Sequence, residues 1–283
     1  MRRRSLQGRK LTNTVVTLVA GSAAVLGLAM LLWILYVVAR KGAAAINWSF
    51  FTSLPSPPGE AGGGLVNAIV GTIIITAVAT VMGVPLGMLA GTYLAEFGRD
   101  GKFAGAARFV NNILIGAPSI VVGVFVYTIL VVPMRGFSGL AGAVALAVIM
   151  LPVVTRTTED MLKLVPDSLR ESALALGAPE HRMVLQIAFR AARSGLLTGV
   201  MLAVARVSGE TAPLLFTTLN SPYWSVALDK PMANLTVTIF NYAMSPYSDW
   251  QAKAWGASLL ITAAVLLLNL TARFLARERK PRL

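Results

Sequence analysis

Two charged residues stand inside an otherwise apolar run. They are Arg206 and Glu210, in the segment ARVSGETAPLLFT that covers Ala205–Thr217. Within hydrocarbon each would cost about 2.5–3.5 kcal/mol at the centre of a helix. Their four-residue spacing predicts that both lie on one helix face, where the charges neutralise each other. Apolar residues often serve stability as well as a buried ion pair, so retaining this one points to a polar pathway. The plainer alternative is a purely structural pair between helices. Gly209 and Pro213 loosen the helix at the same place, freeing backbone groups that need partners or water. Little other chemistry is on offer. The chain has no Cys, which excludes disulfides, thiolate nucleophiles, zinc–thiolate sites and iron–sulfur clusters. His181 is the only His, so there is no multi-histidine metal site and few options for a Ser-His-Asp triad. No Lys is followed by Ser or Thr, so the phosphate-binding loop GxxxxGK[ST] is absent. These residues predict no catalytic group, metal or cofactor. ATP, if it is spent, is hydrolysed by another chain.

The elements that must position these residues belong in a bilayer. Of 283 residues, 56% are hydrophobic and 13% charged, about half the usual charged share. Six apolar stretches are long enough, or nearly so, to cross about 30 Å of hydrocarbon as helices. They are Leu11–Ala39, Leu65–Leu94, Phe109–Val132, Phe137–Thr155, Leu196–Leu219 and Trp250–Ala272. The fold expected is an all-α integral membrane protein with six transmembrane helices. With the amino terminus inside, nineteen Lys and Arg fall in inner segments and five in outer ones: Arg40, Lys41, Arg135, Lys230 and Lys253. That bias predicts both termini in the cytoplasm. The net charge of +13 therefore reflects topology and attraction to anionic lipid rather than nucleic-acid binding. The first stretch exceeds the 7–15 apolar residues of a signal peptide, so a retained anchor is expected.

Trp33, Trp48, Trp224, Trp250 and Trp255 all fall toward the outer side, as an interfacial belt would. The outer segments Arg40–Gly64 and Asn220–Asp249 are rich in Pro or Gly and predict ordered turns or loops rather than helices. Gly83, Gly87 and Gly91, and again Gly195 and Gly199, are spaced for close helix packing. The organisation expected is an arm, first anchor and outer segment over 1–64, a five-span core over 65–275, and a basic tail over 276–283.

The long inner loop 156–194 reads RTTEDMLKLVPDSLRESALALGAPEHRMVLQIAFRAARS. Asp167 or Ser168 can cap a helix that carries Leu169, Ser172, Ala173 and Leu176 at helical spacing. Gly177 and Pro179 break it, and a second short helix is expected from Glu180. Glu171-Ser172-Ala173, three residues, Gly177, nine residues and Ile187 resemble the EAA signature of importer-type ABC-transporter permeases. Ser172 stands for an Ala of that pattern, and Phe189-Arg190 stand where many members have Leu-Pro. The resemblance implies the type I ABC importer permease fold. It also implies that Glu171, Ser172, Ala173 and Gly177 form a coupling helix seated in a groove of a cytoplasmic ATPase.

The SGETAPLL run, with the sixth span and the second, resembles the phosphate-specific permeases of that class. That resemblance implies a half-channel in the bacterial inner (plasma) membrane. Its implied partners are a second, similar permease subunit, two copies of an ATPase subunit and an external phosphate-binding protein. It implies further that Arg206 and Glu210, with Thr211 beside them, lie on the anion path. Arg suits phosphate because its guanidinium offers a fixed fork of donors and stays charged. Glu210 would hold Arg206 at rest and release it when phosphate enters. Two alternatives stay open: a permease for another oxyanion such as sulfate or molybdate, and a proton-coupled secondary transporter with Glu210 as relay. Asn111, Asn112, Ser119, Thr72, Thr76 and Thr80 are weaker candidates, because Ser and Thr in spans mostly bond backbone.

Overall fold

The structure is a computed structural model that describes residues 6–98 and 101–276. Arg2, Arg3, Arg4, Arg99, Arg277, Arg279, Lys280 and Arg282, counted above among the inner charges, lie outside the described residues. So does the basic tail beyond Ala276. The fold is helical. Its elements are α1 (Leu6–Ala45), α2 (Trp48–Thr52), α3 (Val66–Thr92), α4 (Lys102–Gly116), α5 (Ser119–Val126), α6 (Gly139–Lys163), α7 (Asp167–Ala175), α8 (Phe189–Ser208), α9 (Ala212–Thr217), α10 (Leu235–Ala243) and α11 (Ser248–Ala276). Single π-helical turns extend α3 over Tyr93–Phe97 and α5 over Tyr127–Val131, and a third leads into α8 over Met183–Ala188.

Among the described residues, five helices are long and apolar enough to cross a membrane. A sixth crossing exists only if α4 and the α5 rod, bent by 104°, are taken as one. The straight third span expected over Phe109–Val132 is thus two pieces. Pro118 is the reason: it forces Ala117 into extended backbone (ψ 133°) and cannot continue the helix. Pro152 has the opposite outcome. The fourth helix runs through it to Lys163 instead of ending near Thr155. The buried Asn111 amide of α4 donates to the Pro152 carbonyl at 3.2 Å, which ties α4 to α6 at this point.

The inner loop is shorter than 156–194 for the same reason. Its first residues complete α6, and its end is no separate helix but the entry to α8, continuous from Glu180 to Ser208. The outer segment 220–249 also departs from expectation. It contains α10, capped by Asn234, whose side chain accepts from the Val237 amide at 2.9 Å. The Trp250 ring also packs on α10, stacking on Tyr242 with centroids 4.4 Å apart.

The core lies between α3 and α6. Buried positions of α3 recur every fourth residue, through Asn67, Gly71, Ile75, Ala79, Gly83, Gly87 and Gly91. Lipid offers no hydrophobic drive for helices to associate, so close backbone approach and dispersion must supply it. The glycines allow that approach. A Cβ on Gly87 would sit 2.8 Å from Cβ of Val154 and 3.0 Å from the Leu151 carbonyl oxygen. One on Gly91 would sit 2.5 Å from the Thr155 carbonyl oxygen. Gly195 and Gly199 of α8 face Met161 and Thr157 of α6 in the same manner. By contrast α1 is exposed over most of its length and meets α11 at its outer end, where Gly42 abuts Leu259 and Trp255.

This seam yields a first prediction. Gly87→Ala overpacks the contact and lowers stability by about 1–3 kcal/mol. Gly105→Ala, at a helical site with nothing within 4 Å, gains up to about 1 kcal/mol from helix propensity. Thermal unfolding midpoints of the two variants in detergent check the contrast; equal midpoints would contradict it.

Candidate functional site

The fifth span does not run on to Leu219. It stops at Ser208, and α9 begins only at Ala212. Arg206 and Glu210 therefore do not share a helix face. Arg206 sits in the last turn of α8 and Glu210 in the break beyond it, and among the described residues they form no ion pair with each other. Arg206 is exposed, whereas Glu210 and Thr211 are half-buried. From Arg193, α8 rises to Arg206 by about 20 Å at 1.5 Å per residue, well into the bilayer.

A helix ending at such depth leaves polar backbone groups that lipid cannot satisfy. Here they are taken up by a polar network that the sequence reading missed. The amides of Gly209 and Glu210 bond back to the carbonyls of Arg206 and Val207, both at 3.2 Å. The Thr236 hydroxyl lies 2.9 Å from the Glu210 carbonyl and 3.0 Å from Oδ1 of Asn234, and its single proton serves one of the two. Asn234 Nδ2 donates to the Thr218 hydroxyl at 3.0 Å. The Leu235 amide donates to Thr72 Oγ1 of α3 at 2.8 Å. Thus Thr72, read only as a weak candidate, pins α10 to α3. Thr80 bonds its own helix, as expected, through the Thr76 carbonyl. The two interruptions also meet: a Cβ on Gly123 of α5 would lie 2.6 Å from Cα of Pro213 in α9. The signal for Asn234 was present in sequence, as an Asn directly before an apolar run, which is an N-cap signature.

The knob between α6 and α8 is built on one turn. Gly177 has φ +82°, a left-handed conformation that favours glycine. It folds α7 back onto the entry to α8, where Ala173 packs with Met183 and Val184, and Ile187 and Phe189 cover the cluster. Glu171 and Ser172 are exposed, as are Leu169, Leu174 and Leu176, the last at 89%.

Beneath the knob lies a second feature that the sequence did not announce. Arg170 is buried and bonds Glu96 twice, Nε to Oε2 at 3.0 Å and Nη2 to Oε1 at 2.8 Å. It also donates to the carbonyls of Leu162, at 2.7 Å, and Val165. Hydrogen bonding to Glu96 raises the Arg170 pKa above its ordinary value, so the guanidinium itself stays charged. Alongside, Arg108 meets Glu159 at 2.7 Å and donates to the Leu94 carbonyl at 2.8 Å, while Lys163 meets Glu159 at 2.5 Å. Read from sequence, Arg170 was only one inner charge among nineteen.

The network around the break gives a second prediction. Asn234→Ala removes a cap and a donor at a buried position, lowering stability by about 1–3 kcal/mol. Asn234→Ser keeps a capping oxygen and loses less. Chemical denaturation in detergent measures both; an Asn234→Ala protein as stable as the parent would show that this network does not hold the break.

Comparison with known proteins fits this arrangement. Residues 83–283 match the family described as binding-protein-dependent transport system inner membrane component. The chain is 52% identical over 279 residues to a Yersinia pestis protein named phosphate transport system permease protein PstA, covering 99% of this chain and 95% of the relative. It is 37% identical over 283 residues to the PstA 1 protein of Mycobacterium tuberculosis (strain ATCC 25618 / H37Rv), covering 96% and 91%. In fold it is similar to a chain of the inward-facing MetNI methionine ABC transporter, with a TM-score of 0.63, 22% identity and coverage of 75% and 94%. It is also similar to a chain of a bacterial alginate ABC transporter solved with its pentasaccharide-bound periplasmic protein, at a TM-score of 0.67, 12% identity and coverage of 97% and 98%. Several membrane-length helices, a glycine-hinged knob between two of them and a family match over most of its length agree: this chain belongs to the inner membrane components of binding-protein-dependent transport systems, the ABC importer permeases.

Proposed function

We propose that this chain is the transmembrane permease subunit of an ATP-driven importer of inorganic phosphate. Near-full-length identity of 52% to a phosphate transport permease supports the substrate. The observation that carries ATP coupling is the knob, where Leu169, Leu174 and Leu176 face outward beside Glu171 with nothing among the described residues to cover them. Exposed leucines around a carboxylate suit an apolar groove with a basic rim on an ATPase. The complete importer comprises this chain, a second PstC-like permease subunit, two copies of a PstB-like ATPase and an external PstS-like phosphate-binding protein. The permease contributes half of the path and no covalent chemistry; both termini are cytoplasmic. Residues 65–275 form the permease core, and 1–64 supply the first anchor and an outer segment.

Arg206, Glu210 and Thr211 line the phosphate path. The break exposes a guanidinium fork to an incoming oxyanion without a carboxylate already bound to it. Glu210, displaced from the helix face of Arg206, leaves that fork open and sets the electrostatic cost of dwelling there. Nucleotide-driven movement of Glu171, Ser172, Ala173 and Gly177 shifts α8 relative to the α3–α6 pair and changes which side of the membrane Arg206 faces.

In proteoliposomes containing all the subunits, uptake of radioactive phosphate requires ATP inside the ATPase compartment and survives a proton ionophore. Unlabelled phosphate competes, and sulfate and molybdate do not. Uptake without ATP that collapses with the ionophore would support the proton-coupled alternative; equal competition by sulfate would support a broader oxyanion permease. Arg206→Gln abolishes uptake while the subunits still co-purify. Glu171→Lys places a cation against the groove and lowers uptake by about tenfold or more, the size of a typical coupling free energy. Unchanged uptake in both variants would contradict the assignment.

A further inference from the structure

We infer that the Arg170–Glu96 bridge is the link that carries movement of the knob into the α3–α6 pair, which makes Arg170 a positioning residue for coupled transport. This rests on the reading just proposed, that an ATPase drives the chain through the knob. Arg170 neighbours Glu171 on α7, yet its side chain points the other way, into the protein, and is 7% exposed. Its partner Glu96, 3% exposed, lies in the π-helical turn at the foot of α3. The carbonyls of Leu162 and Val165, which Arg170 also holds, belong to the end of α6 and the turn after it. One guanidinium therefore grips both helices of the glycine seam at their cytoplasmic ends. The seam then obliges α3 and α6 to move together, because their backbones are in contact at Gly83, Gly87 and Gly91.

The chemistry of the contact matters. An apolar contact is non-directional and lets surfaces slide. A two-bond guanidinium–carboxylate pair fixes orientation as well as distance. The apolar packing of Ala173 on Met183 and Val184 ties α7 to the entry of α8, the helix that bears Arg206. The knob is thus joined to the path-bearing helix by the short Gly177 turn and an apolar contact that can slide, and to the α3–α6 pair by a directional contact that cannot. Displacing the knob moves α3 and α6 with it and shifts them against α8. A π-helical turn at each junction, Tyr93–Phe97 and Met183–Ala188, is where the helices can yield.

The test uses the complete importer in proteoliposomes, reading ATP hydrolysed and phosphate taken up in the same sample. ATP-dependent uptake by the parent protein establishes the reading on which the inference rests; its absence would defeat that reading rather than the bridge. Glu96→Gln and Arg170→Gln are expected to retain the ATPase subunit on co-purification and to hydrolyse ATP, with phosphate moved per ATP falling by about tenfold. Asp160→Asn, which breaks the exposed Arg156–Asp160 pair, leaves that ratio unchanged. Because a lone buried charge threatens folding, a second variant combines Glu96→Cys with Arg170→Cys in this Cys-free chain. Bridging the two thiols with a short bifunctional reagent restores at least half the parental ratio. Parental ratios in the single variants, loss of ATPase binding in step with uptake, or a bridged protein that stays uncoupled would each overturn the proposal.

Discussion

Inside a bilayer, a helix that stops must have its free backbone groups satisfied by the protein itself. Much of this fold follows from that constraint at the break between Ser208 and Ala212. The Glu210 carbonyl needs a donor within reach, and Thr236 can supply one only if α10 lies against the break. Asn234 turns the chain into α10, holds Thr218 beyond α9 and keeps Leu235 against Thr72 of α3. A segment on the outer side of the sequence is in this way drawn into the core. The break in turn separates Arg206 from Glu210, which an unbroken helix would have set face to face. The Arg206 guanidinium is left exposed on the surface.

The same economy of contacts governs the inner end. With few polar residues in the chain, the two carboxylates whose side chains are buried at this end, Glu96 and Glu159, each sit in an ion cluster, Glu96 with Arg170 and Glu159 with Arg108 and Lys163. Removing one member of such a pair leaves a buried charge, at a cost of about 3–5 kcal/mol. The glycine seam above them adds rigidity without adding polarity. A stiff α3–α6 pair, an α8 that can pivot at its π-helical entry, and a knob attached to both make a subunit suited to alternating access.

Features that depend on neighbours along the chain were legible in the sequence. The membrane class followed from composition, and the close-packed face of α3 from the spacing of Gly83, Gly87 and Gly91. The turn at Gly177 followed from a glycine placed just after a helical run. What depended on contacts across the chain was not legible. Pro118 and Pro152 are the same residue in similar apolar surroundings, yet one breaks its helix and the other does not. Nothing local to Arg170 distinguished a buried bridge from a solvated inner charge, because its partner lies 74 residues away. The i,i+4 spacing of Arg206 and Glu210 misled for a related reason: it presumes an unbroken helix, and Gly209 ends the helix between them.

The central claim is that the break at Gly209–Thr211 lines the route taken by phosphate. Thr211→Cys, in a chain with no other cysteine, tests it by the rate at which a small anionic thiol reagent modifies the assembled importer. The account predicts that the thiol is reachable through water, that phosphate slows its modification and sulfate does not, and that ATP changes the side from which it is reached. A thiol at position 211 that stays unreactive from both sides, or one whose rate ignores phosphate, would contradict it.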